Sequence, residues 1–139
     1  MQWNRKYNYP TSTRALFNGK RHYQINNEKL PSVTSILSVT MPAEKRESLK
    51  QWENKVGKVQ AQITKQEAGN RGTLMHEILE KYLKGKLNLD LLGDNTREKM
   101  MADEIIENGL KKKLNIIWGC EETLFFPGKF AGAADLIAG

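Results

Sequence analysis

Cysteine is almost missing from this chain: Cys120 is the only one in 139 residues. A single thiol excludes an internal disulfide, a four-cysteine zinc site and a cysteine-ligated iron–sulfur cluster. It also makes a reducing compartment the default expectation. Long apolar runs are missing too, and none approaches the ~20 residues that span a bilayer. The opening Met1-Gln2-Trp3-Asn4-Arg5-Lys6 lacks the apolar core of a secretory signal, so a cytoplasmic location is expected. There is no phosphate-binding loop, no dinucleotide-binding glycine pattern, no His-Glu-x-x-His pair and no Gly-x-Ser-x-Gly elbow. Those absences disfavour a nucleotide-driven motor, a metalloprotease and a serine hydrolase.

What is present is charge, unevenly placed. The chain carries 22 Lys+Arg against 16 Asp+Glu, a net +6. Residues 1–70 hold 12 and 5 of these (+7), and residues 71–139 hold 10 and 11 (−1). A basic front and a slightly acidic back suit a phosphodiester enzyme, with cations for the backbone and carboxylates for a metal. The same charge also serves plain solubility.

Periodicity predicts an α+β order. Ala15-Leu16-Phe17, Asn18-Gly19 and Lys20 to Ile25 read as a β-hairpin, because both turn residues tolerate positive φ. Ser32 is placed to cap a short helix that Pro42 closes. From Ala43 to about Glu67, Leu49, Trp52, Val56, Val59 and Ile63 recur three to four apart, the stripe of an amphipathic helix with a basic outer face. Gly57 weakens that helix and Gly69 is expected to end it. A second helix runs from Arg71 to Lys84, with Leu74, Met75, Ile78, Leu79, Tyr82 and Leu83 on one half and His76 just past its edge. A loop spans 85–93, and Asp94 or Thr96 caps a third helix to about Lys113. Met101, Ala102, Ile105, Ile106 and Gly109 are its expected buried side. Asn115 to Phe126, a Pro127-Gly128 turn, and Lys129 to Ala138 read as a closing β-hairpin. No repeat or internal linker divides the chain. One domain is expected, with a hairpin and short helix at 1–42, helices at 43–113 and the hairpin at 114–139.

Three places could carry chemistry. Asp135 stands in an otherwise small or apolar strand, where a carboxylate is costly unless paired or metal-bound; a strand-end Asp facing water is the alternative. Glu121 and Glu122 are neighbours on the preceding strand and point to opposite faces, so only one can share a face with Asp135. His76 is either a packed histidine or a ligand. Cys120 reads as buried, since no base is evident beside it.

Together these segments resemble a known family. Arg71-Gly72-Thr73-Leu74-Met75-His76-Glu77-Ile78-Leu79-Glu80, with Ala68 before it, resembles the "A..RGT..H..LE" helix of RecB-like nucleases in the PD-(D/E)XK superfamily. Glu121 or Glu122 with Phe130-Ala131-Gly132-Ala133-Ala134-Asp135-Leu136-Ile137 resembles that family's "E…L……AG..DLI" hairpin. Leu30-Pro31-Ser32-Val33-Thr34-Ser35-Ile36-Leu37, with Leu49 and Trp52, is similar to the lead-in of phage exonucleases and of the mitochondrial genome-maintenance exonuclease.

The resemblance implies a restriction-endonuclease-like core, here incomplete, behind an N-terminal hairpin and helical lead-in. It implies a metal-dependent DNA exonuclease of recombination, repair or phage DNA metabolism, working in a bacterial or phage-infected cell rather than the mitochondrial matrix. It implies Mg²⁺ or Mn²⁺ on His76 and Asp135, with Glu121 favoured over Glu122 as third ligand and all three sites catalytic. DNA, single-stranded or with duplex ends, would meet Arg71 and Thr73 of the motif and Lys55, Lys58 and Lys65 of the basic helix. Trp52 reads as core rather than as a stacking platform.

One expected part is missing. The family's next strand carries an acid-x-Lys pair, and only four residues follow Asp135. The resemblance therefore implies a nuclease domain cut short, binding metal poorly, uncleaving by itself and prone to self-association through an open sheet edge. The rival expectation is a non-catalytic DNA-binding or assembly module derived from a nuclease.

Overall fold

Asn18-Gly19 and Asn26-Asn27 all adopt positive φ, and each pair turns the chain back on itself. In a computed structural model describing residues 1–85 and 96–139, the two turns join strands β2 (Thr13–Phe17), β3 (Lys20–Ile25) and β4 (Glu28–Pro31) into an antiparallel meander. The expected hairpin is there, with a third strand that the Asn-Asn turn adds. Tyr23, Ile25 and Leu30 bury themselves against Ala131 and make a first small core.

Ser32 caps helix α1 (Val33–Val39), its Oγ accepting from the Ser35 amide at 3.1 Å. Pro42 does not simply close that helix; it stands at the start of the next, α2 (Ala43–Val56). The basic segment then departs from expectation. The chain breaks at Gly57, where φ is +87° and ψ 147°, a conformation that costs an L side chain heavily. Helix α3 (Lys58–Leu83) runs unbroken through Gly69 and Gly72. A mid-helix glycine costs only about 1 kcal/mol, which neighbouring residues on both sides offset. Leu49, Val56, Val59 and Ile63 remain exposed, so the stripe covers no core; Ala61 is the buried residue of that stretch.

Thr96 caps helix α4 (Arg97–Ile105), accepting from the Lys99 amide at 3.3 Å, while Asp94 and the 86–93 part of the expected loop lie outside the described residues. A wide π-type turn at Ile106–Leu110 and a short α5 (Lys111–Lys113) follow. Of the expected buried side, Ala102 and Ile106 are buried, whereas Met101 and Ile105 are exposed. The wide turn changes the helical phase and brings Leu110 onto the second core instead.

Strands β5 (Ile116–Phe126) and β6 (Phe130–Ala138) form the expected closing hairpin. A third strand joins it from the other end of the chain: β1 (Gln2–Trp3) lies parallel to Ile116–Ile117 of β5. Trp3 Nε1 donates to the Leu83 carbonyl at 2.9 Å, satisfying an orphan acceptor at the end of α3. Leu83, Ile117 and Cys120 make the second core, with Tyr82, Leu110 and Leu136 against it. The architecture is α+β with two small sheets, and β6 forms an edge of the β1-β5-β6 sheet. Among the described residues no helix is long and apolar enough to cross a membrane.

Candidate functional site

Helix α3 is oriented by its buried Ile78 and Leu83, and His76 projects from its exposed side. Across from it the β5–β6 register pairs Cys120 with Leu136 and Glu122 with Ala134, which sets Glu121 opposite Asp135. The hairpin is irregular here. Its register shifts between Ile117 and Gly119, and Glu121 itself sits at φ +57°. A non-glycine residue in that region stores about 1–3 kcal/mol of strain, and such residues cluster where side chains must be aimed.

The result is a convergence of three donors from three elements. One ligand atom each of His76, Glu121 and Asp135 lies within 4.8 Å of the others, and all three residues are exposed. His76 Nδ1 and Asp135 Oδ1 are 3.5 Å apart. Donors about 2.0–2.2 Å from one hard cation lie ~3–4.4 Å from each other, so small rotamer changes would suffice for a shared ion. Two carboxylates and one imidazole suit Mg²⁺ or Mn²⁺, the imidazole tilting the set toward Mn²⁺.

The cluster lies in an open groove of about 580 Å³, lined also by Arg14, Gly69, Gly72, Thr73, Glu77 and Glu80. Partial burial, then the negative charges of Asp135 and Glu80, push the Glu121 carboxyl above its ordinary range; His76 and Lys84 pull the other way. Glu77 and Glu80 are paired along the helix with Lys81 and Lys84. Glu122 points elsewhere: it lies against Gly119 on the side of Tyr9, whose hydroxyl donates to the Trp118 carbonyl at 3.2 Å. Of the two glutamates, Glu121 is the one in the cluster.

Cys120 is buried, and that burial pushes its thiol up, the opposite of what a nucleophilic thiolate requires. Thr73 lines the groove, its hydroxyl donating back to the Gly69 carbonyl at 3.0 Å. Arg71 is half-buried and Lys55, Lys58 and Lys65 are exposed on α2 and α3; none of the four lines the groove. Lys65 is ion-paired with Glu53 and stands 6.0 Å over the half-buried Trp52 ring, tying the two helices together. Among the described residues no strand carries acid-x-Lys, since Glu53-Asn54-Lys55 is helical.

Arg14 is the groove residue that pattern reading overlooks. It lies in an exposed strand before a turn, and no local signal separates it from other surface arginines. A comparison with protein-family models, with curated proteins and with solved structures gives no match.

Proposed function

We propose that the groove around His76, Glu121 and Asp135 belongs to a metal-dependent deoxyribonuclease, a RecB-like exonuclease with a PD-(D/E)XK core. The observation that carries the reading is the convergence of these three donors from α3, β5 and β6 within 4.8 Å. The motif resemblance names His76 and Asp135 independently of the geometry, and favours Glu121 over Glu122 as the third position.

His76, Glu121 and Asp135 would hold Mg²⁺ or Mn²⁺. Bound there, a divalent ion supplies a low-pKa water and neutralises charge on a phosphate oxygen. The rest falls to the chain. His76 Nδ1 and Asp135 Oδ1, 3.5 Å apart, would face the ion together. Glu121 is aimed inward by its strained backbone rather than by a hydrogen bond. The open groove admits an extended strand, which suits single-stranded DNA or a duplex end. The family's hydrolysis also draws on an acid-x-Lys pair on a strand, and among the described residues no strand carries one. β6 lies at the edge of its sheet, bridged at Ala131 by Ser32, and the rest of that edge is the surface on which a second copy of the chain would add.

Titration with Mn²⁺, read by the electron paramagnetic resonance signal of the free ion, tests the site. One bound ion is expected, with affinity at least about tenfold weaker in His76→Ala and Asp135→Ala. Equal binding by all three proteins overturns the proposal. Binding of a single-stranded oligonucleotide that is indifferent to Mn²⁺ and to both substitutions favours the non-catalytic DNA-binding module.

A further inference from the structure

We propose that Arg14 is the phosphate clamp of this groove, its guanidinium holding the non-bridging oxygens of a nucleic-acid phosphate beside the His76, Glu121 and Asp135 cluster. The inference rests on the nuclease reading and names the group that takes the substrate's charge.

Charge sets the need. Two carboxylates balance a divalent ion, so the loaded cluster is close to neutral and offers a phosphodiester little net attraction. The groove wall adds Glu77 and Glu80, whose charges Lys81 and Lys84 already balance. Arg14 is the cation lining the groove, and among the described residues no carboxylate lies within ion-pairing distance of it. A planar fork of donors matches two phosphate oxygens at once, which an ammonium does not.

The fold also puts Arg14 on the correct side. It pairs across the meander with Tyr23, and cross-strand partners share a face. Tyr23 is buried against Ala131 of β6. By strand alternation Ala131, Ala133 and Asp135 lie on one side of β6, so the face carrying Arg14 is the face turned toward that side. A second tether fixes the start of β2: the Ser12 and Thr123 hydroxyls are 2.6 Å apart, each residue two positions from Arg14 or Glu121. The arginine comes from one sheet and the metal donors from the other sheet and α3, so the groove lies between them.

The test is binding of a fluorescein-labelled oligothymidylate to the whole 139-residue chain with Mn²⁺, from about 50 to about 200 mM salt. Arg14→Gln is expected to weaken binding by about tenfold and to lower the salt slope by about 0.7, the contribution of one single-strand phosphate contact. Arg14→Lys is expected to restore the slope and only part of the affinity. Arg97→Gln, which removes an equal charge from α4, is expected to change binding much less. Inorganic phosphate is expected to compete weakly with the parent and not detectably with Arg14→Gln.

Parental affinity and slope in Arg14→Gln overturn the clamp, as does equal weakening by Arg97→Gln, which would reduce the effect to net charge. A parent that holds no oligonucleotide at low salt overturns it too. Mn²⁺ affinity separates the two readings. It is expected to persist in Arg14→Gln, so loss of DNA binding with metal binding intact supports the clamp. Failure of the parent to bind Mn²⁺ instead sinks the metal site, whatever Arg14 does.

Discussion

Glu121 sets its proposed role as a metal donor against backbone comfort. At φ +57° it occupies a region that favours glycine or asparagine, and its carboxyl is crowded by Asp135 and Glu80. Glu121→Gly removes both burdens, so chemical denaturation is expected to show a gain of about 1 kcal/mol while Mn²⁺ binding falls sharply. A loss of stability instead would mean that Glu121 supports the hairpin. Two residues earlier the backbone has no room. A Cβ on Gly119 would lie 2.6 Å from Glu122 Cγ and 3.0 Å from the Tyr9 ring, which is held by its bond to the Trp118 carbonyl. Gly119→Ala is therefore expected to cost about 1–3 kcal/mol in urea unfolding. At this scale the donor types were legible, because a lone Asp in an apolar strand and a His at a helix margin are local anomalies. Alternation alone does not choose between Glu121 and Glu122, since it shows that the two diverge and not which one faces His76; only the resemblance favours Glu121.

Gly57 separates two helices where apolar spacing predicts one. The apolar spacing on either side is helical, so the pattern alone does not show where one helix stops and the next begins. The Glu53–Lys65 ion pair shows α3 folding back alongside α2 across that one residue. If the corner is held by glycine's freedom, Gly57→Ala is expected to fuse α2 and α3 into one helix. Spin labels at positions 53 and 65 would then separate to about 18 Å, the rise of twelve helical residues. Double electron–electron resonance distinguishes this from an unchanged short distance. The two hairpins, by contrast, were legible because Asn-Gly and Pro-Gly turns act within four residues. The third meander strand was missed at Asn26-Asn27, both at positive φ. Strand β1 gave no signal, being two residues long and stabilised by a partner at the far end of the chain.

The described residues pack around two small cores, one under each sheet, with few buried side chains in either. The proposed metal site would tie α3, β5 and β6 together where the packing is thin. Mn²⁺ at about 100 times its dissociation constant should then stabilise the fold by about 2.7 kcal/mol. Thermal unfolding should show a raised midpoint in the parent, reversed by a chelator and absent in Asp135→Ala. An identical rise in Asp135→Ala would place the ion elsewhere. By itself the sequence determined the α+β order, the capped helices, the closing hairpin and the kinds of side chain available for chemistry, because caps, turns and periodicity are short-range physics. Which glutamate meets His76, where the long helical stretch breaks, and that Arg14 shares the groove were decided by the tertiary structure alone. Strand register, a strained residue and the docking of one sheet on another depend on contacts between residues far apart in the chain, and no local pattern encodes them.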